Sequence, residues 1–154
     1  MSPSDPLMLL KNEVLLITLI TWGLAQAFKP FTHYLIRRKW DWSQLFSTGG
    51  MPSSHTTLVV AASLACGLVT GFNSPLFGVS VAFALVVIAD AAGVRREAGF
   101  HAQALNMIIR ELREGRPMAA EKEFREVLGH TPLEVLGGIL WATACTLILW
   151  NYWH

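Results

Sequence analysis

Charge is what this chain has least of. Asp, Glu, Lys and Arg together make up 15% of its 154 residues, and hydrophobic residues 53%. A soluble domain carries about 25% charged residues, so much of this surface is expected to face lipid. The net charge of +1 gives no sign of a nucleic-acid partner, and none is expected. Cysteine is scarce too. Cys66 and Cys145 each fall inside an apolar run, which excludes a disulfide framework and makes both packing residues. There is no internal repeat and no low-complexity tract. No basic start is followed by a small-residue cleavage site, so the first apolar run is expected to stay in the mature protein. The length suits one membrane domain over 1–154.

Four apolar runs are present instead: Val14 to Phe28, Thr56 to Phe72, Leu76 to Ala92 and Leu133 to Trp153. A span takes about 20 residues. The last run is long enough alone, and the first three need their flanks. The spans are therefore expected at about 13–28, 54–72, 75–92 and 133–152. Ser, Thr and Gly recur inside them, as where helices pack closely in lipid. Trp22, Trp141, Trp150, Tyr152 and Trp153 are candidates for the interfaces. A soluble bundle of buried helices is the rival, but four such runs leave it little polar surface.

The connections order these runs. Gly71-Phe72-Asn73-Ser74-Pro75 is short and turn-like, so the second and third runs form an antiparallel hairpin. The other two connections, Lys29 to Met51 and Gly93 to Pro132, are long and hold every Lys and Arg except Lys11. With four spans both lie on one face, which the positive-inside rule makes cytoplasmic, with the termini opposite. In the second connection Ala102, Leu105, Ile108, Ile109 and Leu112 recur at helical spacing. They predict an amphipathic helix in or near the headgroup layer, ended by Gly115-Arg116-Pro117. Glu121 to Leu128 reads as a second short helix, most simply a solvated charged face. The fold class is thus an all-α polytopic membrane bundle of about four transmembrane helices plus an interfacial helix, with the oligomeric state open.

The topology brings polar residues together. Lys29 ends the first run, and Gly49-Gly50-Met51-Pro52-Ser53-Ser54-His55 opens the second. Asp90 and Arg95-Arg96 close the third. Gly129-His130-Thr131-Pro132 opens the fourth, with Glu134 one turn in. These residues suit phosphoryl transfer. A Gly-rich turn before a helix N-terminus, with Ser53 and Ser54, forms an anion site. Lys29, Arg95 and Arg96 offer positive charge to a transferring phosphoryl group. One of His55 and His130 would attack phosphorus and the other protonate the leaving oxygen. Glu134, four residues after His130, shares its helical face and would hold its tautomer. Each residue has a plainer use. Either His could be an interfacial polar cap, and Ser53 or Ser54 a helix cap. Arg95 and Arg96 could be topology signals or headgroup contacts. Asp90, costly in an apolar run unless paired, could anchor Arg95 or Lys29.

The stretches at 49–55, Asp90-Ala-Ala-Gly-Val-Arg-Arg at 90–96, Gln103-Ala-Leu-Asn at 103–106 and Gly-His-Thr-Pro-Leu-Glu-Val at 129–135 resemble the divergent type-2 phosphatidic acid phosphatase family. That family is related to acid phosphatases and vanadium-dependent haloperoxidases. The resemblance runs from about Lys29 to Gly138. It implies a lipid phosphate phosphatase without cofactor or metal, acting on a phosphomonoester or pyrophosphate through a phosphohistidine. The wider superfamily's motifs are K-x6-R-P, P-S-G-H and S-R-x5-H-x3-D. By that resemblance His130 would be the nucleophile, Glu134 its orienting carboxylate and His55 the acid. Lys29, Ser53, Ser54, Arg95 and Arg96 would hold phosphate, supported by Asp90, Gly50 and Pro52. The chain also departs from the pattern. Arg37 comes one residue late with no Pro after it, Ser54 replaces Gly, Glu134 replaces Asp, and Phe124 stands where the third-motif Arg belongs. Arg95 and His101 show the R-x5-H spacing as a rival, but Leu105 then replaces the carboxylate.

Two other functions fit the same residues. A non-catalytic scaffold could bind anionic lipid or a partner protein through the basic cluster. A small transporter or channel subunit would use Asp90, but no second charge lies deep in a span.

Overall fold

The computed structural model describes residues 6–47, 49–114 and 130–154, with the backbone alone for 6–8, 95, 96 and 111–114. The expected helix over Glu121 to Leu128, and the stop at Gly115-Arg116-Pro117, lie outside the described residues.

Among the described residues five α-helices follow one another: α1 (Glu13–Arg37), α2 (Ser54–Thr70), α3 (Pro75–Ala92), α4 (Val94–Glu114) and α5 (Pro132–Trp153). Short 3-10 turns cover Pro6–Lys11 and Trp42–Phe46, and no strand occurs among the described residues. Among the described residues three helical stretches are long and apolar enough to cross a membrane: α1, the one starting at Pro75, and α5. The fourth member of the bundle, α2, has only 17 residues. The chain is an all-α membrane bundle.

The helix starts are written locally. Asn12, Ser53, Ser74 and Thr131 each accept a hydrogen bond from a first-turn N–H of the helix they precede. Pro75 and Pro132 sit in the first turn of α3 and α5, where no N–H partner is lost. Gly71, at φ 90°, ends α2 in a backbone region that favours glycine.

Packing uses small residues. Ala25, Ala61, Ala65, Ala84, Ala91 and Ala142 are buried, while Leu19, Val79, Phe83, Val86, Leu140 and Ile148 are exposed. Water-soluble packing reverses that order. In lipid, large side chains face the solvent and small ones let backbones approach. α2 and α5 approach closely. A Cβ on Gly138 would lie 2.9 Å from Thr56 Cβ and 3.0 Å from the Ser53 carbonyl oxygen, and one on Gly137 would meet the Met51 side chain. Trp141 takes part in the packing. It sits mid-helix and half-buried, stacks on Phe28 at 4.8 Å and donates to the Thr21 carbonyl at 3.4 Å, tying α5 to α1.

Two helices differ from the expected boundaries. The apolar run of α1 stops at Phe28, but the helix continues to Arg37 through Pro30. Lys29 does not end it, because its charge turns into the bundle and finds acceptors there. The amphipathic helix begins at Val94, separated from α3 by Gly93 alone. Its apolar residues Leu105, Met107 and Ile108 are exposed, whereas Gly99 and Asn106 are buried. Its apolar residues look outward, as suits a helix against lipid, and the polar Glu97, His101 and Arg110 are exposed beside them.

Gly138→Ala should lower the thermal midpoint of the detergent-purified protein, since backbone must shift, at about 1–3 kcal/mol for overpacking. Gly78→Ala meets nothing within 4 Å and should leave the midpoint unchanged or raise it, by up to about 1 kcal/mol of helix propensity. Equal effects in a thermal melt would contradict this packing.

Candidate functional site

The site lies where α1 passes the N-termini of α2 and α5 and the C-terminus of α3. Lys29 is its deepest charge, only 1% exposed. Its ammonium donates to the Ser47 carbonyl at 2.7 Å and to Ser54 Oγ. Ser54 Oγ in turn donates to Gln26 Oε1 at 2.6 Å, and Gln26 Nε2 donates to the Leu45 carbonyl at 3.2 Å. Among the described residues no carboxylate makes an ion pair with Lys29. A buried cation held by neutral acceptors alone costs several kcal/mol.

The loop before α2 is fastened on both sides. Thr32 on α1 donates to the Met51 carbonyl, and the Ser53 N–H donates to the Glu134 carbonyl at 3.1 Å. Gly50 takes φ 85°, and the Met51–Pro52 peptide is cis. Pro52 is buried. Ser53 is fully buried and accepts from the Thr56 N–H at 3.3 Å, so its hydroxyl caps the helix. Ser54 faces Lys29.

His130 is 4% exposed, and its N–H donates to the Ala91 carbonyl at 3.0 Å, which joins α5 to the end of α3. Its Nδ1 lies 3.3 Å from Glu134 Oε2 and its Nε2 lies 3.4 Å from His55 Nδ1. A carboxylate only accepts, so in the neutral ring Nδ1 carries the proton and Nε2 the lone pair. His55 Nδ1 then donates to Nε2. Glu134 Oε2 also accepts from the Thr131 N–H at 2.9 Å, closing a capping box with Thr131. One carboxylate thus starts the helix and orients the imidazole.

A polar well of about 390 Å³ opens beside these groups. Lys29, His33 and Arg37, one turn apart along α1, form one wall, and Gly50, Thr131 and Glu134 lie opposite. The Glu134 charge acts on Lys29 across it. Near the mouth, Asp41 is held below the usual carboxylate range by hydrogen bonds from Gln44 and Ser43.

The structure thus brings together Lys29, Ser54, His55, His130 and Glu134. Asp90 is half-buried at the end of α3, next to the Ala91 that His130 binds. Arg95 and Arg96 lie on the first turn of α4, with their side chains outside the described residues. His101 is exposed on α4 and belongs to neither the histidine pair nor the well. Among the described residues no group of three His, Cys, Asp or Glu is placed to share a metal ion. Gln26 escaped the sequence reading, as did His33. The signal for Gln26 was there: an amide inside an apolar run, one turn before Lys29.

The family description that matches residues 10–145 is the Divergent PAP2 family. The chain belongs to this family. It is also 43% identical over 151 residues to the "Uncharacterized membrane protein YuiD" of Bacillus subtilis (strain 168), covering 92% of this chain and 96% of that protein. No solved structure matches the chain. The family ties this member to phosphatase-related membrane proteins, and His55, His130 and Glu134 all fall within the matched stretch.

An oxyanion in the well would give Lys29 a direct ionic partner, which no described carboxylate supplies. Orthovanadate should therefore stabilise the wild-type protein by about 2.7 kcal/mol at a hundredfold excess over Kd, seen as a higher thermal midpoint. Lys29→Met should show no shift in the same melt, and an equal shift in both would remove Lys29 from the anion site.

Proposed function

We propose that this protein is a lipid phosphate phosphohydrolase working through a phosphohistidine on His130, at the cytoplasmic headgroup level. The observation that carries the proposal is the line Glu134–His130–His55, which sets a carboxylate, a lone-pair nitrogen and an N–H in sequence. Lys29 supplies the phosphate's counter-charge with Ser54, and Arg95 and Arg96 add to it from α4. Gly50 and Pro52 shape the turn, Ser53 caps α2 behind it, and Asp90 supports the end of α3.

In the first step His130 Nε2 attacks phosphorus. The N–P bond forms as the P–O bond to the lipid alcohol breaks, and the departing oxygen takes the proton of His55. Glu134 stabilises the positive imidazole ring. A water then gives its proton to neutral His55 and attacks phosphorus, the P–N bond breaks, and phosphate leaves. Attack needs phosphorus about 3–3.5 Å from Nε2, with the leaving oxygen beyond it. At 3.4 Å the two imidazoles leave no space for that, so substrate entry parts them.

The same closed pair favours a second reading, a non-catalytic scaffold in which the basic cluster binds anionic lipid or a partner protein. Phosphate release from a panel of lipid phosphates, measured with EDTA present, decides between them. Wild type should release phosphate and His130→Ala should not. Glu134→Gln is the sharper variant, because an amide oxygen keeps the capping box while losing the charge that orients His130. Its thermal midpoint should stay near wild type, while kcat falls by about 10²–10⁴-fold. Release that ignores both substitutions, or no release from any lipid, would favour the scaffold.

A further inference from the structure

Two cavities flank the catalytic cluster, and they differ in kind. The polar well holds Lys29 and Glu134. On the other side a groove of about 380 Å³ runs between α1 and α2, lined by Leu19, Trp22, Gln26, Ser54, His55 and Leu58. Its carbon walls lie on the outer surface of the bundle: Leu19 is 47% exposed, Trp22 37% and Leu58 36%. In this fold that surface faces hydrocarbon. The groove spans from Leu19 to Gln26, about 10 Å along the helix axis, and its polar end is built from the site's own residues.

The partition between groove and well is made of hydrogen bonds. Gln26 and Ser54 line the groove, Lys29 lines the well, and the Ser54 hydroxyl is bonded to both of its neighbours. An amide inside an apolar run is costly unless its polar atoms are engaged. Gln26 is engaged at both ends, by Ser54 and the Leu45 carbonyl. It is a positioning residue that directs the Ser54 proton away from Lys29 and leaves a lone pair for the ammonium.

We infer that the groove between α1 and α2 receives the hydrocarbon chain of the lipid phosphate, which enters sideways from the bilayer with its phosphate crossing the Gln26–Ser54–Lys29 partition. This rests on the hydrolase reading and deepens it. The chemistry sets the direction. The acid must stand at the leaving oxygen, which carries the lipid alcohol, and His55 lines the groove rather than the well. The chain is therefore on the groove side. The phosphoryl group points towards Lys29, and released phosphate departs through the polar well to water. The groove's continuity with His55 and Ser54 commits it to a chain attached to a phosphate rather than to a free hydrocarbon or a partner helix.

The test uses the full chain in proteoliposomes and a lipid phosphate carrying a mid-chain diazirine. After irradiation, mass spectrometry should place adducts on Leu19, Trp22 and Leu58, and excess unlabelled lipid phosphate should suppress them. Adducts spread evenly over the lipid-facing Phe83, Val86, Leu140 and Ile148 would overturn the inference. In the second arm Leu58→Trp fills the groove. It should lower the ratio of kcat/KM for a long-chain lipid phosphate to that for a short-chain one by about tenfold or more. An unchanged ratio would count against the groove. Suppressible adducts in the groove without phosphate release from either substrate would sink the hydrolase reading and keep the groove as the chain's binding site.

Discussion

Everything near the site is arranged around one buried cation. Lys29 lies at the level where α2 and α5 begin, so its charge cannot reach water along its own stem, and the chain must bring acceptors to it. Ser47 brings one from the connecting loop and Ser54 brings another from the first turn of α2. Neither is charged. The bundle thus keeps a positive centre whose direct hydrogen-bond partners are dipoles, with the Glu134 charge acting on it only across the well. Electrostatic preorganisation has this form: the cost of desolvating the charge is met during folding, and an arriving anion meets a charge already in place.

The helix ends do two jobs at once. Glu134 closes the capping box of α5 and also holds His130 Nδ1, and its carbonyl accepts from Ser53, the cap of α2. Through these contacts the starts of α2 and α5 and the end of α3 are held in one rigid frame. A loss of register at any of them would move an imidazole. The closeness of α2 and α5 follows from Gly137 and Gly138, which let the Met51 side chain and the Ser53–Thr56 turn lie against the helix backbone. Lipid offers no hydrophobic drive between helices, so this contact depends on close packing and hydrogen bonds.

The amphipathic helix shows how the surrounding solvent changes the meaning of a pattern. Its apolar repeat was legible in the residues, and so was its approximate extent. Which face packs was not, because the same stripe that would be core in water is outer surface in a membrane. Asn106 and Gly99 turn inward for that reason. Likewise the apolar run alone places the end of α1 at Lys29, because a charge after an apolar run normally marks an interface. Its true extent required knowing that Ser47 and Ser54 lie beside it.

By itself the sequence determined that the chain is an all-α membrane protein. Apolar run lengths, Ser, Thr and Pro caps and the distribution of Lys and Arg are local properties, readable one window at a time. It also pointed to His55, His130, Glu134, Lys29 and Ser54 as neighbours, since their helix ends had to meet on one face. Tertiary structure alone decided what each does there. It made Ser53 a cap and Ser54 a partner of Lys29, although the two are adjacent in sequence, because only three-dimensional packing sets which way each hydroxyl turns. It brought in Gln26 and His33, and it separated an apolar groove from a polar well across a hydrogen-bonded partition. Those are relations between helices distant in the chain, and no periodicity within a single helix encodes them.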